Sequence, residues 1–283
     1  MTSHTLPAVG FIGLGDQGLP MALAISEAGY PLHAWARRAG SLDALAPVEY
    51  TGHDDIAQLA ASSDIVCLCV STDDDVMALL TGGLLAGLRP GSIVVNHGTG
   101  TPGSAVAFAK ACAEAGVDFL DAPVSGGRMG GEARTLTTMV GGPEAVAQRC
   151  DALFQTFSTH VLHLGGHGAG EIAKLFNNTL MMMNQANILD VIDLATRVGV
   201  DPIALVEVIK LGSGSSTALQ LIPVRSPVRI DAAVVEHATA ALLLDMELFH
   251  AAMNQLHVDA AMVSARAIRG ASRVPDLVRT LNP

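Results

Sequence analysis

The sequence predicts an α/β fold in which a doubly wound parallel sheet occupies the first half of the chain. An all-α region, entered through one long helix, occupies the second. Three observations predict it. Up to about residue 165, short β-rich runs alternate with amphipathic helical ones; those runs are apolar nearly throughout; beyond them no strand pattern recurs. A strand with one wet face alternates polar and apolar residues, so unbroken apolar strands point to a sheet covered by helices on both faces. The change falls near "GGHGAG" and divides the chain into domains 1–165 and 166–283. At 283 residues the chain also exceeds the usual size of a single domain.

Taken in order, the expected strands are "AVGFIGL", "PLHAWAR", "DIVCLCV", "SIVVNHG", "DFLDAPV", "TTMVGG" and "HVLHLG". Between the early ones lie "GLPMALAISEAGY" and "TPGSAVAFAKACAEAG", the second with Pro near its start and Gly at its end, as helices favour. "VSTDDDVMALL" offers Asp73, Asp74 and Asp75. Three consecutive aspartates point in different directions, and Ser/Thr/Asp before an apolar run is how a helix is capped, so no metal is implied. Cys67 and Cys69 share one face of a strand, and neither they nor Cys112 and Cys150 stand at metal-knuckle spacing. They read as core thiols in a reducing cytosol. From about Ala169 to Val198 the chain is apolar nearly all round, which suits a helix buried in a core or between subunits. Met181–Met183 within it read as packing.

Bulk composition narrows the partners. The net charge of −11 argues against nucleic acid or an anionic membrane, because both require a basic face. No apolar run is long enough to cross a bilayer, and the start lacks the basic region of a signal peptide, so a cytoplasmic location is expected.

The first strand runs into "GLGDQG", in which Gly13-x-Gly15-x-x-Gly18 opens a helix. In that context Gly13 permits a tight turn, Gly15 lets backbone approach a pyrophosphate, and Gly18 lets helix pack on strand. Leu14, Asp16 and Gln17 complete the loop, whose amides face the anion at the helix start. The position ending the second strand, where a carboxylate would bind the ribose of NAD, is Ala36, followed by Arg37 and Arg38. A guanidinium there can clamp a 2′-phosphate, which favours NADP with NAD possible; an ordinary solvated turn is the alternative. Val70 and Ser71, before the capped helix, are placed near the cofactor. Thr99, after the strand in "VNHGTGTP", is placed at the crevice beyond the strand ends.

Two further segments carry the chemistry. Ser125-Gly126-Gly127 ends a strand in a turn whose successive amides suit a small carboxylate. Lys174, one of three lysines, follows "GHGAG" and stands four residues before Asn178, so the two occupy one face of a helix. A buried ammonium is costly without a partner, and burial makes it a proton donor nearer neutral pH. Snorkelling to solvent is the alternative reading from spacing alone. Gly168 and Gly170 are expected to let backbone approach a ligand.

In order, "GFIGLGDQGLPMA", "VVNHGTGTP", "DAPVSGG" with "LTTMVGG", and "GAGEIAKLFNN" make the whole chain resemble the β-hydroxyacid dehydrogenases. That group contains 3-hydroxyisobutyrate dehydrogenase, tartronate semialdehyde reductase and the glyoxylate/succinic semialdehyde reductases. The resemblance implies a Rossmann domain and a helical C-terminal domain like that of 6-phosphogluconate dehydrogenase, used for substrate binding and for dimerisation or tetramerisation. It further implies a catalytic Lys174, a substrate-orienting Asn178, and a substrate carboxylate at Ser125, Gly126 and Gly127. The expected activity is NADP-preferring interconversion of a small β-hydroxyacid and its semialdehyde or keto form, with Lys174 as general acid and base. Departures from the family pattern are Gln17 for Met, Asn96 and Gly98 at usual acidic and serine positions, Leu244 where Lys often precedes Asp245, and Arg134 for a glycine. Arg134 is expected in solvent. "VNHGTGTP" is also similar to imine reductases, against which Lys174 argues; a dinucleotide-binding protein without chemistry is the reading outside enzymes.

Overall fold

The computed structural model describes residues 6–227 and 230–282, and it divides into two compact units, Met1–Lys174 and Leu175–Pro283.

The first unit is built on nine strands: β1 (Val9–Ile12), β2 (Leu32–Trp35), β3 (Thr51–Gly52), β4 (Ile65–Leu68), β5 (Ile93–Asn96), β6 (Asp118–Asp121), β7 (Val124–Ser125), β8 (Leu136–Gly141) and β9 (Ser158–Gly165). They lie in the order β3-β2-β1-β4-β5-β6-β8-β7, with β9 against β8. The winding reverses between β1 and β4, which opens a ligand crevice beyond the carboxyl ends of those strands. Alternate residues feed two separate cores. Val9, Phe11, Ile65, Cys67, Ile93 and Val95 pack on one face; Ile12, Val66, Leu68 and Val94 pack on the other. This double burial is why the strands read as unbroken apolar runs.

The strands run parallel from β3 to β6; β8 is antiparallel to both β6 and β7, and β9 is parallel to β8. Residues 126–135 join β7 to β8 and are too few for the crossover that a parallel pair needs. β3 and β7 escaped the sequence reading because two residues carry no period.

Several helices begin where a side chain takes a free amide. Thr72 accepts from Asp75 N at 3.1 Å, and helix Asp73–Leu79 follows; Thr101 accepts from Ser104 N at 3.1 Å before helix Pro102–Glu114. The Asp73–Asp75 run is thus the first turn of a capped helix, and no metal-binding group of three or more His, Cys, Asp or Glu occurs among the described residues. All four cysteines are free, and burial pushes the Cys69, Cys112 and Cys150 thiols up to about 12.

Beyond Ala169 every regular element of the described residues is a helix. Helix Ala169–Arg197 leads into Pro202–Leu211, Thr217–Gln220, Ala232–Gln255, Ala261–Ser272 and Val274–Leu281. None is long and apolar enough to cross a membrane. "LGSGSS" is the break between the helices ending at Leu211 and beginning at Thr217; "IPVRSPVR" falls partly outside the described residues. Met182 is fully buried, with Met181 and Met183 packed beside it against Met246 and Ala271. A Cβ at Gly270 would stand 1.8 Å from the Met182 carbonyl oxygen, so only glycine lets these two helices meet backbone to backbone. The long helix is not covered all round: Phe176, Leu180, Val191 and Leu194 are exposed along one stripe.

Candidate active site

The nucleotide end is a cleft of about 430 Å³ at the tips of β1, β2 and β4. Gly13, Leu14, Gly15, Arg37, Arg38, Val70 and Ser71 line it; Asp16, Gln17, Gly18 and Thr99 do not. The glycines do what their spacing implies. Gly13 has φ +103°, and a Cβ there would lie 2.2 Å from the Cys69 carbonyl oxygen. A Cβ on Gly18 would lie 1.8 Å from the Gly13 oxygen, whereas one on Gly15 would meet nothing within 4 Å and would project into open space. A dinucleotide pyrophosphate fits a loop that is tight on its inner side and bare on its outer one.

Ala36 ends the second strand without a carboxylate, and the Arg37 and Arg38 side chains rim the cleft beside Ser41. Arg37 is 85% exposed and makes a loose ion pair with Asp75, 3.5 Å away. Trp35 and Ser41, which no motif marks, also line the cleft, as does Asp75 of the helix start; only the fold brings them beside Arg37.

The chemical end is built around β7. Gly126 and Gly127 follow it with φ of +132° and +59°, a course that β-carbon-bearing residues rarely take. Lys174 is buried, 6% exposed, and its Nζ donates to the Val124 carbonyl oxygen at 2.8 Å. The ammonium therefore stands beside the Ser125-Gly126-Gly127 turn rather than in solvent, which removes the snorkelling alternative. One helical turn on, Asn178 is 5% exposed; its Nδ2 donates to Asp245 Oδ2 at 2.6 Å, and its Oδ1 accepts from Asn177 Nδ2 at 3.0 Å. Asp245 acquires a partner that its sequence context did not suggest.

Gly168 and Gly170 make room for the protein's own backbone rather than for ligand. A Cβ on Gly170 would lie 2.3 Å from the Met139 oxygen, and one on Gly168, at φ +91°, 3.0 Å from the Pro102 oxygen. The start of the lysine helix is thereby pressed onto the sheet. Asp121, at the end of β6, accepts from Gly168 N at 2.8 Å and Glu171 N at 3.1 Å; burial nonetheless raises its carboxyl above the ordinary range.

Thr99 lies in a loop whose amides are taken by side chains. Gly98 N donates to Asn96 Oδ1 at 3.2 Å, Gly100 N to Glu171 Oε2 at 2.9 Å, and Thr101 N to Asp73 Oδ2 at 3.1 Å. His97, between them, points into the core: its Nδ1 donates to the Ala122 oxygen at 2.8 Å, and its ring meets Phe154 and Phe157 edge-on. Burial lowers its pKa to about 4. Asp121 and Glu171 stood inside the quoted motifs without a role, and nothing local marks them as buried acids. Arg134 is exposed and paired with Glu27; its φ of +57° explains why a glycine suits that position.

Comparison with known proteins agrees with this geometry. Residues 8–165 match the family model for the NAD-binding domain of 6-phosphogluconate dehydrogenase. Residues 168–269 match the model described as NAD-binding of NADP-dependent 3-hydroxyisobutyrate dehydrogenase. The chain is 33% identical over 214 residues to 2-(hydroxymethyl)glutarate dehydrogenase of Eubacterium barkeri, covering 75% of this chain and 71% of that one. It is likewise 33% identical over 215 residues to 3-hydroxyisobutyrate dehydrogenase of Pseudomonas aeruginosa, covering 75% and 72%. The Mycobacterium tuberculosis 3-hydroxyisobutyrate dehydrogenase, solved with L-serine, superposes with a TM-score of 0.85 at 25% identity, over 98% of this chain and 100% of that one. With both halves of the chain matched in order, this protein belongs to the β-hydroxyacid dehydrogenase family and is an NAD(P)-dependent oxidoreductase.

Proposed function

We propose that the protein interconverts a small β-hydroxyacid and its semialdehyde or keto form, that it prefers NADP to NAD, and that Lys174 is its general acid and base. The observation that carries this reading is the Lys174 ammonium, buried and donating to the Val124 backbone oxygen, which adjoins the Ser125-Gly126-Gly127 turn. A nicotinamide dinucleotide held along the glycine loop, Val70, Ser71, Arg37 and Arg38 supplies the hydride chemistry when bound. The chain's own residues do the rest. The turn Ser125-Gly126-Gly127 binds the substrate carboxylate, Asn178 orients the reacting oxygen, and Lys174 Nζ gives that oxygen a proton in reduction or takes it in oxidation. Residues 1–165 hold the cofactor and supply the carboxylate-binding turn, while 166–283 supply Lys174, Asn178 and the subunit contacts.

Within this reading, a steady-state panel decides the substrate. Three- and four-carbon semialdehydes and a cyclic imine, each with NADPH and NADH, are the test; turnover of the imine alone would overturn the hydroxyacid assignment.

Arg37 sets the cofactor preference in this reading. It rims the cleft with a side chain 85% exposed, and a hydrogen bond to a charged phosphate is worth about 1.5–3 kcal/mol. Arg37→Ala is therefore expected to lower the NADPH-over-NADH ratio of kcat/KM by about 10- to 100-fold; an unchanged ratio would refute it.

The exposed apolar side chains along one face of the long helix support a homodimer or homotetramer, since large apolar groups left in water on one face mark a contact. Leu194 is 60% exposed within it. Leu194→Glu is expected to shift the species seen by light scattering toward monomer at equal concentration. If the wild-type chain is itself a monomer at micromolar concentration, the stripe is not a subunit contact.

A further inference from the structure

Three carboxyl groups from three elements converge where the Thr99 loop meets the lysine helix. Asp73 comes from helix Asp73–Leu79 and takes Thr101 N; Asp121 comes from β6 and takes Gly168 N and Glu171 N. Glu171 comes from helix Ala169–Arg197 itself, one turn before Lys174, and is 1% exposed. Its Oε2 accepts from Gly100 N at 2.9 Å, and its Oε1 faces Asn96 Nδ2 at 3.5 Å. Both donors are neutral amides. Lys174 follows it by three residues on the same helix, a spacing that puts the two side chains on one face, and both are buried. Burial drives the Glu171 carboxyl well above the ordinary range; Asp121 and Asp73 push the same way, and the Gly100 amide and Lys174 oppose them. Asp121 has its own two amides and feels His167, and the Cys69 thiol, which feels Lys174, is held near 12 by burial and so stays neutral.

Resting on the reading of Lys174 as proton donor, we propose that Glu171 is its positioning residue. It ties the lysine helix to the Thr99 loop through Gly100 and titrates together with the Lys174 amine, so that the pH profile of turnover belongs to the pair. The physical reason is their shared burial. With the carboxyl neutral, the ammonium has no buried counter-charge in Glu171 and loses its proton more readily; with the carboxyl ionised, the ammonium is held. Two groups coupled in this way release their protons in two macroscopic steps that neither owns alone.

Glu171→Gln keeps the volume and an oxygen for the Gly100 amide but cannot ionise. Relative to the wild type, it is expected to leave Tm and the KM for NADPH close to unchanged. The basic limb of kcat/KM for carbonyl reduction should move to lower pH by roughly one unit, the size of a nearby opposite charge. A merely structural role for Glu171 would lower Tm and move no limb, and an unmoved limb overturns the inference. A second measurement needs no Glu171 variant. With only three lysines in the chain, the Lys174 Nζ signal of 15N-lysine-labelled enzyme is assignable by its loss in Lys174→Ala. It is expected to titrate in two steps, and a single step overturns the inference whether or not Glu171→Gln folds. Lys174→Ala separates the two failures. If that variant loses turnover while the Glu171→Gln limb stays in place, this inference alone falls; if it keeps turnover, the proton-donor reading falls first.

Discussion

Lys174→Ala is expected to lower turnover by about 10²–10⁴-fold, the usual contribution of a positioned acid–base group, while NADPH binding stays within a few-fold of the wild type. The separation of the two effects follows from the geometry. Lys174 lies on helix Ala169–Arg197 and bonds Val124 O, whereas the glycine loop and Arg37 line the cleft at the tips of β1 and β2, whose lining does not include Lys174. Single-turnover rates with saturating NADPH, alongside a fluorescence titration of NADPH, make the measurement. Parallel loss of turnover and cofactor affinity would mean the lysine holds the structure and performs no chemistry. Some loss of stability is also expected, because the Val124 oxygen forfeits its buried donor at a cost of about 1–3 kcal/mol.

Acid is expected to destabilise the protein through His97. Its folded pKa, about 4, lies below the ordinary histidine value of 6.5, so between those values the unfolded chain binds a proton that the native chain refuses. Stability therefore rises with pH across that window: it is complete above about 6.5 and is lost progressively as pH falls toward 4. At about 1.36 kcal/mol per unit, the full loss is on the order of 3 kcal/mol. Lowered by burial and by His53, His33 acts in the same direction. Asp121 and Glu171 act oppositely, because their raised folded values make the native chain the better proton binder; their contribution is present at low pH and fades as pH rises. The His97 contribution is isolated by difference. His97→Asn keeps a donor for the Ala122 oxygen but cannot charge, so urea unfolding at pH 7 and pH 4.5 should show a shallower acid loss than in the wild type. Identical losses in the two proteins would place the acid sensitivity elsewhere.

Much of this molecule is readable without its structure, and the reason is that the readable parts are local. Unbroken apolar strands predict double burial, and β1, β4 and β5 do feed both cores. Gly13, Gly15 and Gly18 announce a loop by their spacing within six residues; the close neighbour of Gly18 is the local Gly13 oxygen, while that of Gly13 is the Cys69 oxygen, which the fold supplies. The long helix is read to within a residue of its end because an apolar run of that length, unbroken by turn residues, is too long for a strand. Two-residue strands such as β3 and β7 are lost for the converse reason, having too little length to carry a pattern.

What the sequence by itself determined is the order of elements, the nucleotide loop, and the isolation of Lys174 and Asn178 on one helical face. What only the tertiary structure decided is who faces whom. Glu171 meets Gly100 from seventy-one positions away, Asp121 caps a helix forty-seven positions on, and Lys174 finds its carbonyl fifty positions back. Hydrogen-bond partners across such separations are set by how the strands are ordered, and a linear text carries no term for that. Local sterics and hydrophobic period act between neighbours in the chain; burial, charge and proton sharing act between neighbours in space.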